Sequence, residues 1–453
     1  MSVRLQQSSA CRLIVLAAAL TATLTACGVD DHGQEPTSSP TEIIQTDPTA
    51  TRVGSSTPAP TLAPTPVEIG SSTPVPPPYP TPAPTATPGS REFIVIWADF
   101  GEPAEEAAVF EALLARLPDN EHTRVYAQLF DQTGTMELLG LEPPAPDASP
   151  EDVEEFFSGL PLVRPANVEA GKTFRFTNWP AVMGQHSPLF DWYPYVAFSP
   201  WSVDYHATTN NPFGAERTTT YDVAIGDFNP QATSDALANC GCDQPDLNDY
   251  DGYTYYSWRE EFEQDLRDRL APPLYDYVGR GPRVMVTEGE AIWSLANAAV
   301  ENYIDVRNDV QLSLADDPDY LAAARWLASM GTPIDMTFAA REMGVLDDPS
   351  GVLNSPQFQE MFGHAPLLKK FSMAASATVY DGERTLSGLV VVHDDPETAE
   401  ANAELLRERI EILVGDSVEL VEIEANGRFL LARAQVSRGN LFSLVINTLV
   451  IHE

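Results

Sequence analysis

Lysine is almost absent from this chain of 453 residues. Only Lys172, Lys369 and Lys370 occur, and 26 basic side chains stand against 66 acidic ones, which gives a formal net charge of -40. A surface with this excess of carboxylates repels phosphate groups, so nucleic acid and anionic lipid are poor partners for the folded part. The composition therefore predicts no nucleic-acid partner.

Long apolar runs are missing as well, apart from one near the start. Arg4 and Arg12 precede an apolar run at 13–24 that is too short to span a bilayer and has the features of a signal-peptide core. The run ends in Leu24-Thr25-Ala26-Cys27-Gly28. This pentapeptide resembles the lipobox of bacterial lipoproteins.

The resemblance to the lipobox implies that Cys27 carries a lipid. In that family the cysteine thiol takes a diacylglyceryl group, and the signal peptide, here 1–27 with its lipobox, is cleaved before the cysteine. Two acyl chains give lasting attachment. The implied location is the cell membrane, lipid-anchored on its extracytoplasmic face. The alternatives are an ordinary secretory peptide with a coincidental cysteine, or a short membrane anchor.

Cysteine is scarce too. Of the four cysteines, Cys11 and Cys27 fall in the first segment, which leaves Cys240 and Cys242 around Gly241. A disulfide-rich scaffold is therefore excluded. A Cys-Gly-Cys unit could exchange disulfides, but it lacks the usual Cys-x-x-Cys at a helix start, so we favour a structural pair.

Residues 28–90 form a stretch rich in proline, threonine and serine. Thr-Pro pairs recur, for example at Thr57-Pro58, Thr65-Pro66 and Thr81-Pro82. Such a composition buries no core, so we predict a disordered, extended tether. At about 3.1 Å per residue it could hold a domain up to roughly 190 Å from the lipid. Its hydroxyl groups are candidate O-glycosylation sites.

Familiar catalytic motifs are also lacking. The chain has no Gly-x-Ser-x-Gly elbow, His-Glu-x-x-His helix, Walker loop or dinucleotide-binding glycine pattern. Enzymatic activity stays uncertain and is disfavoured, because a triad assembled from distant loops leaves no local pattern.

The sequence predicts no metal and no cofactor. The histidines downstream of the tether show no ligand spacing; they are His122, His186, His206, His364, His393 and His452. The acidic stretch 246–252 has the oxygen density of a calcium loop, but Leu247 occupies the first ligand position, so an acidic turn is favoured.

The pattern from 91 onward predicts an α+β fold of antiparallel sheets with helices on one face. Hairpins are expected across Asp381-Gly382 and Asn426-Gly427. Helices with split βαβ character complete two ferredoxin-like units. The predicted divisions are an N-terminal part with an aromatic loop region at 91–205 and α+β units at 206–330 and 331–453.

Three segments of this region, 226–230, 250–253 and 313–317, give it a loose resemblance to duplicated ferredoxin-like ectodomains of uncharacterised surface lipoproteins. The resemblance covers about the middle hundred residues. It implies a fold and a location on the cell surface, and it implies no activity and no catalytic residues.

Six tryptophan and tyrosine residues between 179 and 205 are the most distinctive feature of the folded part. Four of them are the candidate ligand platform, because exposed rings can stack on sugars: Trp179, Trp192, Tyr193 and Trp201. The same rings could instead close a core, since each buries a large apolar area. We favour the core interpretation.

These features favour a lipid-anchored extracytoplasmic binding or envelope-associated protein that is not an enzyme. Its partners would be the membrane, through the lipid on Cys27, and a cell-wall glycan or another envelope protein. A transporter substrate-binding lipoprotein is the second hypothesis, but it requires parallel sheets. A hydrolase acting on envelope glycan or peptide is the third, and it requires two buried carboxylates about 5 to 9 Å apart.

Overall fold

The computed structural model describes 107–159, 179–180, 182–183, 190–209, 221–340, 366, 368–414 and 418–436. These residues all belong to one unit of the chain, Trp97–Glu453. The predicted signal peptide with Cys27, and the predicted tether at 28–90, lie outside the described residues. The predicted domain boundaries at 205 and 330 stay predictions.

A single sheet organises the described residues. Its strands are β1 (Tyr126–Asp131), β2 (Val203–Thr209), β3 (Tyr221–Gly226), β4 (Asp246–Tyr250), β5 (Tyr253–Ser257), β6 (Arg283–Thr287), β7 (Glu290–Ser294), β8 (Thr332–Ala340), β9 (Met373–Tyr380), β10 (Thr385–Val392), β11 (Val418–Asn426) and β12 (Phe429–Val436). The order across the sheet is β11-β12-β10-β9-β8-β1-β2-β3-β7-β6-β5-β4. Each of these neighbours pairs antiparallel.

Nine α-helices connect or flank these strands within the described part of the chain. They are α1 (Ala107–Leu114), α2 (Glu121–Val125), α3 (Gln132–Leu139), α4 (Pro150–Gly159), α5 (Tyr193–Val196), α6 (Pro230–Asn239), α7 (Asn297–Arg307), α8 (Pro318–Ala328) and α9 (Pro396–Val414). Across the described ranges, no helix combines the length and the apolar character that crossing a bilayer requires.

Apolar clusters cover both faces of the sheet. On the first face, α1, α7 and α8 pack on strand residues such as Leu129 and Ile292. On the second face, α9 packs through Leu406 on Leu389 and its neighbours at one end. At the other end of that face, an aromatic cluster that includes Trp293 packs with residues of α5 and α6.

The predicted α+β class with antiparallel strands is confirmed, including the hairpins at Asp381-Gly382 and Asn426-Gly427. A split βαβ arrangement is present in the last third, where α9 joins β10 to β11 and β12 lies between them. The residues 206–330 do not form a second one, because β3, β7, β6, β5 and β4 follow one another as antiparallel neighbours.

The expectation of helices on one face is wrong. Every residue of β10 is buried, and β9 is buried up to its last residue. A strand with apolar residues pointing both ways requires cover on both sides. The helices α9 and α6 supply that cover on the face opposite α1, α7 and α8.

Glu290, at the start of β7, ties the helices of the first face to the sheet. Its carboxylate accepts hydrogen bonds from Arg116 (Nη2 to Oε1, 2.7 Å), which follows α1, and from the Tyr303 hydroxyl (2.7 Å) of α7. Arg307 at the end of α7 forms an ion pair with Oε2 of Glu290, the same oxygen that accepts from Tyr303. Because the Glu290 side chain is only 12 % exposed, these contacts are poorly screened by water.

We expect Glu290→Gln to lower the free energy of unfolding by about 3 kcal/mol, since two partly buried arginines lose their counter-charge. Urea denaturation measures this. The control is Glu404→Gln on α9. The Glu404 side chain is 79 % exposed and pairs with Arg407, so its substitution should leave the free energy of unfolding almost unchanged. Equal effects of the two substitutions would contradict the assignment.

Candidate functional site

Of the four predicted platform residues, two are buried and two lie nearer the surface. The rings of Trp179 and Trp192 are buried in the aromatic cluster. Trp179 packs on Phe198 and Phe228, with ring centroids 5.7 and 5.4 Å away. These two tryptophans therefore offer no free ring face to a ligand.

The other two platform residues lie nearer the surface. Tyr193, at the start of α5, is 37 % exposed. Trp201 is half-buried and makes an edge-on contact with Phe156, with centroids 5.0 Å apart. The four residues thus do not form one exposed stacking surface.

Cys240 and Cys242 form a disulfide, with their Cα atoms 5.3 Å apart. Cys240 is the C-terminal cap of α6, and its amide donates to the carbonyl of Ala236. The bridge lies between α6 and β4. The acidic stretch that follows it forms the β4–β5 hairpin, with Asp251 and Gly252 at the turn in left-handed backbone conformations.

A polar seam crosses the middle of the second face. Its members alternate along their strands with apolar residues that point to the first face. One row of cross-strand neighbours is Ser376, Thr337, Gln128, Thr208 and Asp222, and the next row is Ser387, Thr378, Asp335, Phe130 and His206. Apart from Phe130, all are polar, although most of them are buried.

Among the described residues, the seam lies between the two clusters that cover the second face of the sheet. Leu389 belongs to the cluster under α9, and Ala224 belongs to the aromatic cluster at the other end. Between them, Gln128 on β1 and Thr208 on β2 lie directly opposite each other, and both are half-buried. Solvent therefore reaches the middle of the seam.

His206 is the most unusual member of the seam. It is 3 % exposed and stacks on Phe130, its cross-strand neighbour, with ring centroids 4.6 Å apart. Its Nδ1 atom has no hydrogen-bond partner. Burial lowers the pKa of His206 to about 3, so the imidazole is neutral at physiological pH.

Two further polar atoms are also buried without a partner: Oε1 of Gln132 and Nε1 of Trp179. The Gln132 amide is oriented by its Nε2 atom, which donates to the carbonyl of Pro200 at 2.8 Å. A buried donor or acceptor left unpaired costs about 1–3 kcal/mol, so each of these three atoms lowers the stability of the fold.

Each of these three residues belongs to one short chain segment or contacts it. Phe198 packs on the Trp179 ring, and Pro200 holds the Gln132 amide. The chain then enters β2, which carries His206. Nine consecutive residues, 198–206, therefore contact or include all three. The unpaired atoms comprise one donor, one acceptor and an imidazole nitrogen whose role depends on the tautomer.

The carboxylates of the seam are not arranged for paired-acid hydrolysis. Asp222 on β3 and Asp335 on β8 are separated by three strand spacings, or about 14 Å between Cα atoms. Asp335 already accepts hydrogen bonds from the amide (3.3 Å) and hydroxyl (3.2 Å) of Thr378. Paired carboxylic acids of glycoside hydrolases lie closer together.

The direct cross-strand neighbours of His206 are apolar. The cross-strand neighbours of His206 are Phe130 and Ala224, neither of which is a nucleophile. Throughout the described ranges, no group of three or more His, Cys, Asp or Glu side chains is placed to hold a metal ion. The polar side chains of the seam can donate and accept hydrogen bonds.

Sequence reasoning missed the seam. The signal available was the alternation in β1, where Ala127 and Leu129 flank Gln128, and in β2, where Ala207 separates His206 from Thr208. Alternation assigns the polar residues to one face, but a polar face is ordinarily solvated. Only the packing of the second face shows that these residues are largely buried.

Comparison with known proteins gives no family. No protein-family model matches the chain, and no curated protein matches it. Crystal forms I, III and IV of the treponemal lipoprotein TP0453 align with 74 % of this chain and 96–97 % of theirs, at 10–11 % identity and TM-scores of 0.33–0.34. At these scores no property of TP0453 can be transferred to this chain.

The lowered pKa of His206 predicts a pH dependence of stability. Between its unfolded value of 6.5 and about 3, the unfolded chain binds a proton that the folded chain does not, so stability falls as pH falls through this window. His206→Phe should remove this loss of stability, which is about 2 kcal/mol at about pH 5.

Urea unfolding of both proteins at about pH 7.5 and about pH 5 tests this. Asp131, whose pKa is raised to about 6 chiefly by burial, has the opposite pH dependence but is present in both proteins, so it cancels in the comparison. An equal loss of stability in the two proteins would show that His206 is not buried in its neutral form.

Proposed function

We propose that this chain is a lipid-anchored extracytoplasmic binding protein that contacts its ligand through the polar seam. The lipid on Cys27 holds it on the membrane, and the Thr-Pro stretch at 28–90 lets the folded part reach into the envelope. The observation that carries the proposal is a partly solvent-accessible row of hydrogen-bonding side chains in the middle of an otherwise apolar sheet face.

The proposed anchor is supported by the sequence of the first segment. An apolar run of signal-peptide length ends at the residue where a lipobox places its cysteine, and a glycine follows it. A diacylglyceryl group alone provides lasting membrane attachment. No further anchoring element is needed for this location.

The proposed binding role is supported by the chemistry of the seam. Gln128 and Thr208 offer amide and hydroxyl groups at the accessible point. His206 lies two residues before Thr208 on β2, on the same face, and has an unpaired nitrogen. Ligand sites are mostly apolar with a few convergent polar groups. Apolar clusters lie on both sides of the seam.

The geometry favours binding over the two alternatives. A substrate-binding lipoprotein with alternating βα units expects parallel strands, whereas the neighbours in this sheet are antiparallel. A paired-acid hydrolase expects two nearby carboxylates, whereas Asp222 and Asp335 are far apart on the sheet.

Replacing Cys27 with Ser removes the thiol that takes the lipid. We expect the protein to move from the membrane to the soluble fraction and to lose labelling by a radioactive fatty acid, as measured by fractionation and autoradiography. Cys11→Ser is the matched control and should keep both properties. Membrane retention of the Cys27 variant would show that the anchor assignment is wrong.

Ligand binding is tested by native mass spectrometry of the full-length protein in detergent. After incubation with a small-molecule extract of the bacterium's cell envelope, we expect a one-to-one adduct. Gln128→Leu removes an amide from the accessible part of the seam and should reduce the bound fraction at least about tenfold.

Gln231→Leu is the matched control for this substitution. Gln231 is exposed on α6, where its amide bonds Asp235, so the adduct should persist in this variant. Absence of any adduct with the wild-type protein contradicts the proposed function. An adduct that persists unchanged in Gln128→Leu places binding elsewhere.

A further inference from the structure

The strand β4 ends the sheet, and one side of its backbone has no neighbour among the described residues. It pairs with β5 alone, in a regular register that runs from Asp246 opposite Ser257 to Tyr250 opposite Tyr253. An open strand edge is a row of amide donors and carbonyl acceptors to which another strand can add. This edge is therefore a candidate interaction surface.

The β4–β5 turn determines which backbone groups of β4 point outward. Both residues of the turn, 251–252, have left-handed backbone conformations, as in a two-residue hairpin, so the residues that flank the turn exchange hydrogen bonds. Hydrogen-bonded residues alternate with outward-facing residues along an antiparallel strand. The amides and carbonyls of Leu247 and Asp249 therefore point away from β5.

The side chains along this edge are exposed to solvent. Leu247 is 67 % exposed, and Asp246 and Asp249 are exposed as well. The carboxylate of Asp249 accepts a hydrogen bond from the Thr254 hydroxyl (2.7 Å), so its partner within the hairpin is uncharged. The edge thus presents one aliphatic side chain between two carboxylates.

These charges discriminate among the strands that could pair with β4. A second copy of β4, antiparallel about Asn248, would place the two copies of Asp249 as diagonal neighbours on one face, and each whole chain carries a formal charge of -40. Like charges on adjacent strands oppose pairing. Lysine or arginine on an added strand would instead bring opposite charge to each carboxylate.

We propose that β4 binds an extended basic segment of another envelope protein by antiparallel strand addition. The segment that fits has a basic residue facing Asp249, an aliphatic residue facing Leu247 and a second basic residue facing Asp246. The nearest strand of the polar seam, β3, is four strand positions from β4, or about 19 Å. This surface is therefore separate from the site of the proposed function.

The test uses the blocked peptide Thr-Thr-Lys-Thr-Ile-Lys-Thr, whose lysines face the two aspartates when it pairs antiparallel with β4. Fluorescence anisotropy of the labelled peptide measures its binding to the full-length protein in detergent. We expect the peptide to bind and to slow hydrogen exchange at the amides of Leu247 and Asp249. The same peptide with glutamate in place of both lysines should bind at least about tenfold more weakly.

Methylation of the peptide's backbone nitrogens separates strand addition from simple charge attraction. Residues of the added strand that lie opposite Leu247 and Asp249 exchange hydrogen bonds with them. N-methylation of the isoleucine and of the first lysine removes those donors, keeps the charge, and should weaken binding at least about tenfold. N-methylation of the threonine between them, whose amide points away from β4, is the matched control and should leave binding unchanged.

Charge reversal on the protein tests the same pairing from the other side. The double variant Asp246→Lys and Asp249→Lys should prefer the glutamate peptide, and its Tm should stay close to the wild-type value because both side chains are exposed. Asp394→Lys, which changes an exposed aspartate ahead of α9, is the matched control and should keep the preference for the lysine peptide.

Three results would overturn the proposal. If the lysine peptide does not bind, or binds no better than the glutamate peptide, the edge does not select a basic segment. If N-methylation at the two pairing positions leaves binding unchanged, charge alone attracts the peptide and no strand is added. If the protein without peptide forms dimers that protect the amides of Leu247 and Asp249 from exchange, the occupant is a second copy.

Discussion

Burial of the sheet on both faces is the constraint on which the rest of the structure depends. The strands β9 and β10 carry apolar residues toward both sides, so neither side can face water. Two separate layers result: α1, α7 and α8 on one face, and α9 with the aromatic cluster on the other. The ion pairs of Glu290 fix the first layer to the sheet.

The second layer consists of two parts that do not meet over the whole sheet. Hydrophobic packing holds α9 at one end and the aromatic cluster at the other. The strands between them, β8, β1 and β2, carry polar residues on this face, where Gln128 and Thr208 keep contact with solvent. The seam is therefore a consequence of how the face is covered.

Local structure at the helix ends depends on short-range chemistry. Asn229 caps α6 by accepting from the amide of Ala232, and Asp317 caps α8 by accepting from Asp319. Residues 260–269 do not form an α-helix, although their sequence pattern is helical: the backbone is left-handed at Arg259 and Phe262. There the Arg259 guanidinium donates to the Gly279 carbonyl and pairs with Asp268, a tertiary arrangement that overrides helical periodicity.

The sequence by itself determined the hairpins and the antiparallel class, and it predicts a lipid on Cys27 from the lipobox resemblance and a tether from the composition of 28–90. Each of these depends on residues that are neighbours along the chain. The tertiary structure decided which polar residues are buried. It placed Trp179 in a core and left His206 without a partner on Nδ1, because burial depends on which distant segments pack over a face. The periodicity of a single strand carries no information about that cover.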